Sequence, residues 1–316
     1  MKPRSLPWDR PVPVLPLGEY GGLKDPCVVR LGDTWHLFAT GCKEGFTYDV
    51  VHATAPDLTG PWTPLPPSEV HGASGPALCA PGVVAEGGRL HMFVQETYNT
   101  LGGAVTHLVS EDEGATFDAV GVALTSLPGT TEAGIYDAHP GEVGDDKFIV
   151  YAGMSGVGEP DLHLARSESR TWAGPWERLG VALGHDDVPF HNRRGCENYE
   201  WGLEGGQIAE LPDGRAMMLG VCFLPRGPMG GRQRVFLAVA DEPEGPYTLV
   251  GPAIEPYTYG RPGENGHGAI VVDDDRVYLF FQHRDGDGLP WDVHVTSLPV
   301  DALPGAAEDD DLAVAS

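Results

Sequence analysis

Short runs of alternating apolar and polar positions recur along the chain: "DTWHLFAT", "GRLHMFVQE", "DKFIVYAG", "GRAMMLGVCF" and "DRVYLFFQH". Each is rich in β-branched, aromatic or large aliphatic residues. Each enters through a polar turn, "RLGD", "AEGG", "VGDD", "LPDG" or "VDDD". Upstream of each turn lies a second run, "PCVVR", "PGVVA", "PGEV", "GQIAEL" or "GAIVV". A period of two broken by Gly and Asp predicts strand, turn, strand.

The first four units then reach "TAPDLTGPWTPL", "SEDEGATFDAVG", "SESRTWAGPWERLG" and "ADEPEGPYTLVG", and the fifth stops early at "WDVHVTSL". A polar turn with Gly, an aromatic and a new strand is the shape of an outer hairpin. Units of about 55–70 residues with roughly four strands each, and no helical period between them, predict an all-β chain. The expected architecture is a five-bladed β-propeller with four-stranded antiparallel blades around a central axis. Within it "SEDEGATF" reads as a structural hairpin, Asp112 and Thr116 bonding the local backbone. The propeller should span 18–305 as a single domain, with 1–17 packing on it as an extension and 306–316 as an acidic disordered tail.

Composition narrows the partners. The formal net charge of −26 over 316 residues opposes binding to nucleic acid or to an anionic membrane surface. No apolar run approaches a membrane span, and the proline-broken N-terminal stretch has no continuous apolar core of a secretory signal, so a cytoplasmic protein is expected. The cysteines Cys27, Cys42, Cys79, Cys196 and Cys222 are odd in number and form no CxxC pair, so they read as free thiols.

In a propeller the first strand of each blade lies innermost. The polar residues at the starts of those strands are Asp25, then Asp137 with His139, then Glu200 and Glu204, then Glu264 with His267; the second blade offers "CAPGV" instead. Any single one of these is better explained as a loop carboxylate or a capped turn. Their repetition at equivalent places is what points to chemistry. Acids converging on one mouth suit glycoside hydrolysis, which needs one carboxylic acid to protonate the leaving oxygen and one carboxylate to activate water or attack the sugar. Crowding raises the pKa of one of them and keeps it protonated.

"LKDPCVVRLGDTWHLFATG", "CAPGVVAEGGRLHMF", "YDAHP", "LEGGQIAEL" and "GHGAIVVDDDRVYLFFQHR" together resemble the signatures of glycoside hydrolase family 43, the five-bladed arabinofuranosidases, xylosidases and arabinanases, over roughly residues 18–298. The resemblance implies an inverting enzyme with Asp25 as general base, Glu204 as general acid and Asp137 as the acid that tunes and orients the donor. Asp25 and Glu204 would then stand on the order of 6.5–9.5 Å apart. His267 matches an axial histidine that in some members holds a calcium ion or ordered water; no cofactor is otherwise implied. Arg284 matches an arginine near the sugar. The partner implied is a small carbohydrate with a terminal arabinofuranosyl or xylosyl group. Cys79 where the family usually has tryptophan, Gly206 where proline is frequent, and "YDAHP" in the third unit depart from the pattern and leave the sugar open.

Phe46, Tyr48, Tyr98, Tyr136 and Trp201 are candidates for an aromatic sugar platform, and the long "HDDVPFHNRRGCENYE" stretch is either a cover for the pocket or an ordinary loop. Two rival propeller chemistries lack their signatures: there is no Arg-Ile-Pro as in sialidases and no Asn-Asp-Pro-Asn as in fructan-cleaving enzymes. The alternative from another class is a silent propeller that only binds, or one turned to other chemistry.

Overall fold

A computed structural model describes residues 6–44, 47–73, 78–95, 97, 100–156, 160–188, 202–227, 230–254, 264–286 and 289–303, without the side chains of 224–232. Among these residues the fold is all-β, with two 3-10 turns, His185–Asp187 and Val300–Ala302, as its helical pieces. No helix among them is long and apolar enough to cross a membrane. Phe46, Tyr98, Trp201, Cys196, the stretch 189–200 and the C-terminal tail lie outside the described residues.

After a short strand β1 (Val12–Pro13), the first antiparallel sheet is β2 (Gly22–Leu31), β3 (Thr34–Cys42), β4 (Tyr48–Ala55) and β5 (Thr63–Pro64). The second adds β6 (Glu69–His71), parallel to β10, to β7 (Gly82–Glu86), β8 (Arg89–Gln95), β9 (Ala104–Ser110) and β10 (Thr116–Thr125). The third is β11 (Gly134–Val143), β12 (Asp146–Met154), β13 (Asp161–Ser167) and β14 (Trp176–Leu183). The remaining strands are β15 (Leu203–Glu210), β16 (Ala216–Gly227), β17 (Gly230–Ala240), β18 (Thr248–Pro252), β19 (Glu264–Asp273), β20 (Arg276–Arg284) and β21 (Asp292–Pro299). They form one sheet, but β15–β18 and β19–β21 are each antiparallel, joined by the single parallel pair Arg234 and Asn265.

The first strands touch in a closed ring: β2 meets β7, β7 meets β11, β11 meets β15, β15 meets β19, and β19 returns to β2. The cores lie between neighbouring sheets. Phe280 of β20, for example, packs with Leu37 and Ala53 of the first sheet. Alternation along a strand sends one face to each neighbouring core, so second strands such as β3 and β12 are buried on both sides along almost their whole length.

The start of the chain closes its own end. Val12 and Pro13 pair with Val295 and His294 of β21, so the early end of the fifth unit finds its outer strand in the N-terminal segment. Trp8 Nε1 donates to Ala253 O at 2.6 Å, Arg276 pairs with Asp9, and Leu15 is buried beside Phe280. The "SEDEGATF" hairpin is built as expected: Asp112 accepts from Thr116 N at 2.9 Å and Thr116 Oγ1 at 2.8 Å, and Gly114 N donates to Ser110 Oγ. Cys27, Cys79 and Cys222 are buried free thiols and Cys42 is a half-buried one.

Deleting residues 1–17 exposes the edge of β21 and removes Leu15 from the core. The loss of that side chain alone sets a floor of about 2 kcal/mol on the fall in unfolding free energy. Urea denaturation of the full and shortened chains measures it; equal midpoints would refute the closure.

Candidate active site

The first strands break register near their starts, between Lys24 and Cys27, Tyr136 and His139, Glu204 and Gln207, and Gly266 and Gly268. At two of these bulges the carboxylate itself is left-handed: Asp25 has φ 51° and Asp137 φ 48°. At the third, Gly205 takes φ 58° just after Glu204. Aspartate is among the few residues that tolerate this region, and a bulge re-aims the side chain it carries. An acidic residue at the mouth of an apolar strand is thereby turned toward the centre of the ring.

At Asp25, at Asp137 and at Ala80 (φ 51°) before β7, the left-handed turn also leaves a buried N–H off the ladder, and a side chain from the second strand of the preceding sheet takes it. Asp25 N donates to Gln282 Oε1 (3.3 Å), Ala80 N to Thr40 Oγ1 (2.8 Å) and Asp137 N to Gln95 Oε1 (2.6 Å). A buried donor left unmade would cost about 1–3 kcal/mol, so these latches fix the three turns.

His267 sits among the three acids. Its Nδ1 lies 3.4 Å from Asp25 Oδ1, and its Nε2 lies 3.5 Å from Asp137 Oδ2 and 2.7 Å from Glu204 Oε1. All four residues are 5% exposed or less. A pocket opens above them, lined by Lys24, Asp25, Thr40, Tyr48, Cys79, Asp137 and His267. Glu204 stands behind His267, outside that lining, and receives Gln233 Nε2 on Oε1 at 2.8 Å.

Burial alone would hold the His267 imidazole neutral, but Asp137, Asp25 and Glu204 outweigh it and push its pKa up to about 9. Burial pushes Asp137 up to about 7, with Glu204 and Asp25 adding to the rise and His267 opposing it. Burial also lifts Asp25, yet Lys24, His267, the Thr40 hydroxyl and His139 together bring it below the ordinary carboxylate value. His139, buried beside this cation, is pushed down to about 3. At neutral pH the centre thus pairs an ionised Asp25 with a cationic His267 and an Asp137 raised toward neutrality.

Of the residues singled out from sequence, Asp25, Asp137, Glu204 and His267 converge, and Tyr48 lines the pocket. Tyr136 is buried with Ala152 and Met154 and is not in the lining. Arg284 donates to Glu264 Oε2 at 2.8 Å and lies over the Trp291 ring, also outside the lining. Phe46, Tyr98 and Trp201 fall on residues not described. Lys24, Thr40, Gln95, Gln233 and Gln282 were missed. Lys24 adjoins Asp25 in sequence, but the glutamines act across sheets and leave no local signal.

The cluster Asp137, Glu204 and His267 brings three ligand-type atoms within 4.8 Å of one another. Calcium takes six to eight oxygens, whereas this set offers two carboxylates and an imidazole nitrogen already given to Glu204. Calcium held there would take carboxylate oxygens of Asp137 and Glu204, complete its shell with water and reach His267 through water.

No family model and no curated protein matches the chain. Solved structures do. The catalytic domain of the Coprinopsis cinerea GH62 α-L-arabinofuranosidase aligns with a TM-score of 0.68 at 14% identity, covering 93% of this chain and 97% of that one. The endo-arabinase of Bacteroides thetaiotaomicron gives 0.64 at 15% identity, covering 94% and 99%. The Cellvibrio cellulosa α-L-arabinanase complexed with arabinohexaose gives 0.61 at 15% identity, covering 87% and 91%. The chain has the fold of these enzymes.

Two outcomes follow. In Gly205→Ala a Cβ would stand 2.8 Å from His267 Nδ1 on a left-handed backbone; stability should fall by about 1–3 kcal/mol, measured by chemical denaturation. Asp137 binds a proton more tightly folded than unfolded, so its contribution to stability is full below its ordinary value near 4 and is lost as pH rises through about 7. Asp137→Asn should flatten that stretch of a stability–pH curve; an unchanged slope would refute the assignment.

Proposed function

We propose that the chain is a glycoside hydrolase with a five-bladed propeller, removing a terminal arabinofuranosyl or related pentosyl group from a small carbohydrate with inversion. The observation that carries this is the gathering of three buried carboxylates from three sheets around one imidazole under a pocket. The ring of first strands supports the blade count. The likeness in fold to enzymes named for arabinofuranosides and arabinans supports the sugar.

In this reading Asp25, held ionised by Lys24 and His267, is the base that takes a proton from water. The water attacks the anomeric carbon opposite the bond being broken, and Glu204 gives its proton to the departing oxygen. Asp137 tunes Glu204 through the shared His267 contact. Tyr48 offers an aromatic edge to the sugar. A strongly acidic chain favours a neutral sugar over an anionic one.

One observation favours a second assignment of the donor: Asp137 lines the pocket and carries the raised pKa, while Glu204 lies behind His267. Leaving-group chemistry separates the two. Asp25→Asn should lower turnover of every arabinofuranoside on the order of a hundredfold or more. Glu204→Gln should lose nitrophenyl and alkyl arabinofuranosides yet keep most turnover of a dinitrophenyl one, whose leaving group needs no acid. If Asp137→Asn shows that selective rescue instead, Asp137 is the donor. If wild type turns over no glycoside in a panel that includes β-xylosides, the hydrolase reading fails and a binding propeller replaces it.

A further inference from the structure

Behind the three acids lies a chain of amides. Asp25 N donates to Gln282 Oε1 at 3.3 Å. Gln282 Nε2 donates to Gln233 Oε1 at 2.8 Å, and Gln233 Nε2 donates to Glu204 Oε1 at 2.8 Å. The direction is the same at every link, so neither amide can flip without facing donor to donor. Gln282 Nε2 also reaches Glu264 Oε1 at 3.4 Å, and that oxygen takes Trp291 Nε1 at 2.7 Å. Gln282 is fully buried and Gln233 nearly so.

The backbone is shaped around this chain. A Cβ on Gly266 would collide with Gln233 Oε1, so the residue beside His267 is one with no side chain. Gly205, beside Glu204, clears space for His267 in the same way. Thr40 and Gln95 take the N–H of the other two turns by the same route, but neither leads to the acid Glu204: the Thr40 hydroxyl turns to the Asp25 carboxylate and Gln95 Nε2 goes to Cys79 Sγ at 3.2 Å.

Resting on the hydrolase reading, we propose that Gln282 and Gln233 are positioning residues that tie the backbone of the base Asp25 to the carboxyl of the acid Glu204. The tie has a chemical consequence. Both hydrogen bonds that the described residues give Glu204, from Gln233 and His267, land on Oε1. A carboxylic acid accepts at its carbonyl oxygen and carries its proton on the other, so the amide chain places the transferable proton on Oε2. It also fixes the base and the acid, 179 positions apart in sequence (204 − 25), with respect to each other through two rigid planar groups. Misplacement of either would cost rate without costing affinity.

The test has one arm that needs no substrate. In ¹⁵N–¹H spectra, Glu204→Gln should shift the side-chain amides of Gln233 and Gln282 and the backbone N–H of Asp25 together. A response confined to Gln233 overturns the relay. If Glu204→Gln does not fold, Gln282→Met read at the Gln233 amide and the Asp25 N–H serves the same end. The second arm is kinetic. Gln233→Met and Gln282→Met should each lower kcat on the order of 10–100-fold with KM nearly unchanged, and the double variant should be no worse than the poorer single one. Additive losses, or losses confined to KM, overturn the proposal. Inactive wild type would sink the hydrolase reading alone, and the spectra would still decide whether the amides are coupled.

Discussion

A buried imidazolium holds the centre of the ring. Three carboxylates brought out of water at one point would repel one another and be poorly solvated, and each would be driven to neutrality. His267, within 3.5 Å of all three, replaces part of the lost hydration. It divides them unequally: Asp25, which also has Lys24 and Thr40, stays ionised, while Asp137 is raised toward neutrality. Similar groups in dissimilar surroundings give the separated acid and base roles that glycoside hydrolysis needs.

The ring geometry makes this possible through its bulges. Regular first strands would send alternate side chains into the cores between sheets. A left-handed residue near the start of the strand turns one side chain to the axis and frees one N–H, which a neighbouring sheet must take. Neighbouring sheets are thus joined at the site as well as in the core. This accounts for the buried polar Thr40, Gln95 and Gln282 near the ends of their strands.

Much of the fold was legible in the sequence. The strand pairs were visible because a two-residue period and Gly–Asp turns are local properties. The partner of the short last unit was not, because Val12 and Val295 meet only when the ring closes. Of the candidate site, Asp25, Asp137, Glu204 and His267 could be found because equivalent places in repeated units fall at equivalent places around an axis. Tyr136 and Arg284 could not be placed: alternation does not say whether an aromatic faces a core, and Arg284 turned instead to Glu264 and Trp291.

Sequence alone pointed to an all-β fold, to repeating units, and to acids recurring at strand starts, since these follow from residue type and spacing. Tertiary structure decided which acids share a histidine, which one is raised toward neutrality, and which amides bind them together. Those depend on distances between residues as far apart as Asp25 and Gln282, 257 positions along the chain. Hydrogen bonds act only at about 3 Å and Coulomb energies fall with distance through space, and neither takes account of order in sequence.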